Sequence, residues 1–235
     1  MYRRLLGLIK KLSWRVVTAL AVFSVGAIAF VALAKEVRDN ETLRLDREIL
    51  LGIHHYATPT LDSIARILTH FGGVVVVPIL ALVIAGLFLK KLGRSYALLI
   101  LCGVVGSSLL NLLLKTLFSR ARPQLWEQLV VEHSFSFPSG HAMASASLSA
   151  SIVAALWYTR WRWTAILLGM VYITVVGFTR LYLGVHYPTD IVAGWMLAIA
   201  WVAAVFAIFS RSPYRTPVTE PHASIAKPGP LDNAS

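Results

Sequence analysis

Residues 115–123 read KTLFSRARP, residues 138–141 read PSGH and residues 180–190 read RLYLGVHYPTD, and each polar cluster abuts a long apolar run. Ionisable side chains at the ends of membrane segments are costly unless they pair, reach water or hold a ligand, so such a group reads first as a functional site. Lys115, Arg122 and Arg180 supply three cations, His141 and His186 two imidazoles, Ser139 a hydroxyl and Asp190 a carboxylate. That inventory suits a phosphate group. The clusters can form one site only if the apolar runs between them bring them to the same end of a helical bundle.

Composition agrees with a membrane setting. Hydrophobic residues make up 57% of the 235-residue chain, charged residues 14%, and the mean hydropathy is +0.69. An ordinary soluble domain is far less apolar. The net charge of +11 is therefore not read as nucleic-acid binding, because a basic membrane protein carries its excess Lys and Arg in cytoplasmic loops, where they fix orientation. Cys102, inside an apolar run, has no second cysteine to pair with and reads as a small buried hydrophobe.

Six apolar runs follow one another: Val16–Ala34, Phe71–Leu89, Tyr96–Leu114, Ala142–Thr159, Trp163–Phe178 and Ile191–Ser210. Each approaches the ~20 residues a helix needs to cross a bilayer. The first follows a basic start with Arg3, Arg4, Lys10, Lys11 and Arg15. It exceeds the ~7–15 residues of a signal-peptide core, so an uncleaved anchor is expected. Between the first two runs, residues 35–70 interleave acids and bases and read as amphipathic helix lying along the interface on the outer side. His54, His55 and His70 lie here without the ligand spacing of a metal site. The serines and alanines of the fourth run read as a close-packing helix.

Charge sets the expected orientation. With the amino terminus inside, the cytoplasmic segments hold Arg3, Arg4, Lys10, Lys11 and Arg15, then Lys90, Lys91 and Arg94, then Arg160 and Arg162, then Arg211, Arg215 and Lys227. This obeys the positive-inside rule, and it places all three polar clusters on the outer face. The expected fold is all-α, an integral membrane bundle of six transmembrane helices in one unit over residues 1–211, with a disordered cytoplasmic tail over 212–235. Small size and compact loops suggest a bacterial inner membrane.

Local chemistry sharpens the second and third clusters. Pro138 stops a preceding segment, Ser139 is a good N-cap, and Gly140 lets backbone approach a ligand at the start of a helix whose dipole favours an anion. Pro188 suits the first turn of the last helix, which puts Asp190 near its positive end, four residues after His186.

At these residues the chain resembles the type 2 phosphatidic acid phosphatase family, whose signature is K-x6-RP, PSGH and SR-x5-H-x3-D. Lys115, Arg122 and Pro123 match the first block, Pro138 to His141 the second, and Arg180, His186 and Asp190 the third. Thr179 stands where the family has serine and keeps the hydroxyl. Three ordered matches are more specific than any one alone. The resemblance implies that His186 is a nucleophile forming a phosphohistidine, that Asp190 orients and charges it, and that His141 is the general acid and then base. Lys115, Arg122, Ser139, Gly140 and Arg180 are the expected phosphate-binding residues.

No metal or other cofactor is expected, because cations take the place of a divalent ion and no carboxylate cluster stands ready to hold one. The expected partners are the bilayer and a lipid phosphate, with no nucleic acid and no obligate protein. Vanadate, which binds the related site of vanadium haloperoxidases, is an expected inhibitor. A lipid phosphotransferase and a non-enzymatic phosphate-binding membrane protein or transporter are the alternatives. Phosphatidylglycerophosphate, phosphatidic acid and polyprenyl diphosphate all offer the same phosphate on an apolar anchor, and the motifs contact only that shared part. Outside the motifs, Arg120 reads first as an interface anchor, with a second phosphate contact as the alternative; Glu127 and Glu132 read as solvated loop residues before tuners of the pocket, and His133 as a loop residue within reach of a headgroup.

Overall fold

The structure is a computed structural model, described over residues 13–209. The expectations for residues 1–12 and for the tail lie outside the described residues. Those described form helices α1 (Trp14–Arg38), α2 (Leu43–His54), α3 (Pro59–Thr69), α4 (Val76–Lys91), α5 (Arg94–Phe118), α6 (Gly140–Leu156), α7 (Arg162–Tyr182) and α8 (Pro188–Phe209), with a 3-10 turn at His70–Gly72. No strand occurs among them.

Turn chemistry sets the boundaries. Thr58 caps α3 by accepting the Leu61 amide at 3.3 Å, and Pro59 follows at the first helical position, where its missing N–H costs nothing. Ser119 ends α5 in the left-handed region at φ 46°. Ser139 caps α6, its hydroxyl 3.5 Å from the Ala142 amide.

α1, α5, α7 and α8 are each long and apolar enough to cross a membrane; α3 with its 3-10 turn and α4, bent by 47°, make a fifth span if counted as one. α6 is apolar but only 17 residues long, and nine of those are buried. It packs against α5, α7 and α8. Its small side chains permit this: a Cβ added at Gly103 of α5 would come within 2.3 Å of Ser151 Oγ. The hydroxyls of Ser145 and Ser147 turn back onto the His141 and Ala144 carbonyls at 2.8 and 3.0 Å, which satisfies them without water. The serines thus serve packing, as the sequence suggested.

Cys102 differs from expectation. It is exposed on the outside of α5, because the long apolar helix has a lipid-facing side as well as a core side. Within residues 35–70, Lys35 to Arg38 complete α1 and two further helices, α2 and α3, follow. In α2 the inward face carries Asp46 and Leu50, while Leu45, Ile49 and Leu51 are exposed; in α3 Ala65 and Thr69 are buried while Leu61, Ile64 and Ile67 are exposed. Both helices thus turn apolar side chains outward.

The chain alternates in direction, so Arg38, Phe118, Gly140, Tyr182 and Pro188 are all helix ends at one end of the bundle. Long-range hydrogen bonds bind that end together: Arg120 reaches Asp46 and Asp190, and Tyr182 donates its hydroxyl to Asp62 at 2.7 Å. At the other end Arg15 lies over the Tyr158 ring at 4.1 Å, with Lys90, Lys91, Arg94, Arg160 and Arg162 at the neighbouring helix ends.

Candidate active site

The three clusters meet at the Arg38–Pro188 end. The link from α5 to α6 folds back over the link from α7 to α8, with Trp126 laid against Gly184. A Cβ at Gly184 would stand 2.7 Å from the Trp126 ring, and its φ of +68° already favours glycine. His54 of α2 stacks on that indole at 4.0 Å between centroids. The loop thereby contacts both α2 and the residues leading to His186.

His186 is 1% exposed. Its Nδ1 lies 3.3 Å from Asp190 Oδ2, and its Nε2 lies 3.1 Å from Arg122 Nη1. A guanidinium has no acceptor, so Nε2 must present its lone pair, and the ring proton belongs on Nδ1, facing the carboxylate. Burial holds the His186 pKa well below its ordinary value, and the charges of Arg122, Arg180 and Lys115 push it the same way. The imidazole is therefore neutral, with its lone pair turned to the cations.

Asp190 is fully buried and its two oxygens have different partners. Oδ2 accepts from the Ser136 hydroxyl, from the Tyr187 amide at 2.9 Å and from His186; Oδ1 accepts from Arg120 Nη1 at 2.6 Å. The Asp190 carbonyl accepts the Ser139 amide at 3.1 Å, which ties the PSGH turn to the first turn of α8. Gly140 begins α6 beneath Asn111, whose Oδ1 would be 3.0 Å from an added Cβ; the Asn111 amide donates to the Pro138 carbonyl at 2.9 Å. The first-turn amides of Gly140 and His141 stay outside the helix's own ladder. His141 packs beside the 70–73 turn, its Nε2 3.8 Å from where a Cβ on Gly73 would sit.

The cations are held as follows. Arg122 donates from Nε to the Ser134 carbonyl and from Nη1 to the Val185 carbonyl, each at 2.7 Å. Burial lowers its pKa, opposed by Glu132 and Asp190. Lys115 Nζ donates to Ser134 Oγ at 2.7 Å and to the Phe135 carbonyl at 2.8 Å. Arg180, 1% exposed, donates from Nη1 to Thr69 Oγ1 at 2.7 Å and from Nη2 to Glu132, and its buried Nε has no partner. Glu132 also lies 3.5 Å from Arg122 Nη2. One carboxylate thus bridges the two arginines expected to hold phosphate. A cavity of about 470 Å³ adjoins this group, lined among others by Lys115, Arg122, Gln128, Glu132 and His133.

Two sequence readings need correction. Glu132 is not a free loop residue but the bridge between Arg122 and Arg180. Arg120 is not an interface anchor: its guanidinium is paired with buried Asp46 and Asp190. Ser136, Asn111 and Asp46 also went unread. Only Asp46 left a trace, one helical turn before Leu50 on the face that turns inward.

The sequence model of the PAP2 superfamily matches residues 96–214. The chain is 30% identical to phosphatidylglycerophosphatase B of Bacillus subtilis over 177 residues, covering 72% of this chain and 86% of that protein. It is 25% identical to undecaprenyl-diphosphatase of Sulfolobus acidocaldarius over 173 residues, covering 72% and 80%. The crystal structure of a transmembrane PAP2 type phosphatidylglycerolphosphate phosphatase from Bacillus subtilis superposes with a TM-score of 0.73 at 28% identity, covering 84% of this chain and 98% of the other. Matched in sequence over half its length and in fold over most of it, the chain is a multi-pass membrane protein belonging to the PAP2 superfamily of lipid phosphatases.

Proposed function

We propose that this protein hydrolyses the phosphomonoester or diphosphate of a membrane lipid through a phosphohistidine on His186. The observation that carries the reading is the pair His186–Asp190, with Nδ1–H fixed on the carboxylate and the Nε2 lone pair facing Arg122. Nε2 attacks phosphorus while the bond to the leaving oxygen breaks, and His141 gives that oxygen its proton. The phosphorylated ring gains positive charge, which Asp190 stabilises through Nδ1–H. Water then attacks phosphorus, giving its proton to His141, and the N–P bond returns its electrons to His186. Arg122, Arg180, Lys115 and the first amides of α6 stabilise the equatorial oxygens. These cations supply the charge that a divalent ion supplies elsewhere, so activity is expected to persist in chelator.

A lipid substrate is supported by an apolar groove of about 690 Å³ between α2, α3 and α7. It is lined by Ile53, Tyr56, Leu68, Phe178, Thr179 and Tyr182 and so runs up to the neighbour of Arg180. The relatives named for phosphatidylglycerophosphate and undecaprenyl diphosphate make these two lipids, with phosphatidic acid, the substrates to compare. We place six spans in a bacterial inner membrane, counting α6 as the buried sixth. The site faces outward and the basic end of the bundle faces the cytoplasm, as the positive-inside rule requires. Detergent-purified protein given the three lipids with chelator present should release inorganic phosphate from at least one. No release from any of them would remove the proposal, and a labelled lipid product would redirect it to phosphotransfer.

Glu132 must leave the arginines before a phosphate can bind there. The Glu132→Gln variant should therefore bind vanadate and inorganic phosphate about tenfold more tightly, ~1.4 kcal/mol, a modest gain because the carboxylate is 25% exposed and partly screened. Competitive inhibition constants read this directly. An unchanged or weaker constant would show that Glu132 does not compete for the anion position.

A further inference from the structure

Arg120 is a cation that the phosphoryl-transfer chemistry leaves unused, and it is paired with two buried carboxylates. Nη1 donates to Asp190 Oδ1 at 2.6 Å and to Thr189 Oγ1 at 2.8 Å, and Nη2 donates to Asp46 Oδ2 at 2.8 Å. The guanidinium plane lies over the Tyr187 ring at 4.1 Å. Its backbone takes part too, since the Arg120 carbonyl accepts the Ser136 amide at 2.9 Å, and Ser136 donates its hydroxyl to Asp190 Oδ2. Residue 120 therefore governs both oxygens of Asp190, one directly and one through Ser136.

Asp46 completes the arrangement from a different part of the chain. It is 1% exposed, and it accepts the Thr189 amide at 3.0 Å, the Thr189 hydroxyl at 2.6 Å and Arg120. The side chain of α2 thereby caps the first turn of α8 from outside and holds the guanidinium from behind. A run Asp46–Arg120–Asp190–His186 results, alternating in charge up to the imidazole.

We propose that Arg120, held by Asp46, is a positioning residue for phosphoryl transfer that keeps Asp190 Oδ2 aimed at His186 Nδ1. The inference rests on His186 being the nucleophile. Arg120 does not serve as a phosphate contact, because Nη1 binds the Asp190 oxygen turned away from the imidazole and Nη2 is held by Asp46. It acts on the reaction through Asp190. Without it Asp190 Oδ1 loses its strongest partner, the carboxylate is free to rotate, and Nδ1–H loses its fixed acceptor. The segment between α1 and α4 thus takes part in the site although the ring nitrogens of His186 bond to Arg122 and Asp190 and to none of its side chains.

The test uses the full chain in detergent micelles, with kcat and KM on the lipid phosphate that the wild type hydrolyses best. Vanadate binding gives both the inhibition constant and the number of intact sites per chain, so that kcat is counted per folded site. Arg120→Gln is expected to lose roughly 10–100-fold in kcat per site, the cost usual for an outer partner of an essential group, with KM and vanadate affinity within about twofold of wild type. Arg120→Lys should recover part of that loss. Asp46→Asn should lose less than Arg120→Gln, and the double variant should be no worse than Arg120→Gln alone, because both act through one carboxylate.

Arg120→Gln that raises KM and weakens vanadate at unchanged kcat would make Arg120 a phosphate contact and overturn the proposal. A wild-type kcat per vanadate-binding site would make it scaffold only, with the same result. If Arg120→Gln does not fold, Arg120→Lys and Asp46→Asn carry the same comparison. Failure of the phosphatase reading appears already in the wild type, as no phosphate release, and is thereby distinct from failure of this one.

Discussion

Replacing His186 by glutamine is expected to reduce phosphate release by about 10⁴-fold or more, the loss seen when the nucleophile of a cooperating catalytic set is removed. Glutamine keeps a polar group near Asp190 and Arg122 but offers no nitrogen basic enough to attack phosphorus. The loss should fall on kcat, since Arg122, Arg180 and Lys115 remain to bind the phosphate, and KM should change little. A second measurement makes the test specific. Wild-type protein mixed with labelled substrate and quenched rapidly should carry acid-labile, base-stable label on histidine, and His186→Gln should carry none. Retention of more than a few per cent of the wild-type rate would show that phosphorus is attacked by another group, and the neutral imidazole facing Arg122 would need a different purpose.

Asp190→Asn is expected to cost about 10⁴-fold in kcat, the size of effect produced when an orienting carboxylate becomes an amide and the imidazole takes the wrong tautomer. The carboxylate accepts Nδ1–H from His186. An asparagine can instead donate to Nδ1, which puts the proton on Nε2 and removes the lone pair from the face that meets phosphorus. Stability should suffer too. Arg120 would keep Asp46 but lose its partner at 2.6 Å, and breaking a buried ion pair from one side costs about 3–5 kcal/mol; the remaining Asp46 pair places the expected loss at the lower end. Thermal unfolding in detergent reads the second effect and steady-state rates the first. An Asp190→Asn protein with a lowered melting temperature but a rate within tenfold of wild type would separate the two, leaving Asp190 a structural role alone.

These two substitutions act on residues legible in the sequence, whereas Glu132→Gln and the Arg120 series act on residues that were not. The difference is physical. His186 and Asp190 are four residues apart at the entry to one helix, so backbone geometry alone nearly brings them together. Pro138, Ser139 and Gly140 announce a helix start by cap chemistry that needs no tertiary context. Arg120 looks like any cation near a helix end until α2 brings Asp46 to it, 74 residues away in sequence. Glu132 sits in a loop without regular periodicity, and its partners Arg122 and Arg180 are joined only by the fold.

The amino-acid order by itself determined that the chain is an all-helical membrane protein and that its polar clusters share one end, because apolar run lengths and alternating direction depend on local composition and on counting. It also singled out the residues proposed to carry the chemistry, through caps, prolines and i,i+4 spacing, which are short-range, and through the family resemblance of the three clusters. Tertiary structure decided which nitrogen of His186 is free, which oxygen of Asp190 faces it, and that a carboxylate bridges the arginines. It also decided that α6, at 17 residues too short to stand out as a span, is the most enclosed by its neighbours and that Cys102 faces outward. Those outcomes depend on which side chains meet across long separations, and a single chain's pattern of polarity does not encode such meetings.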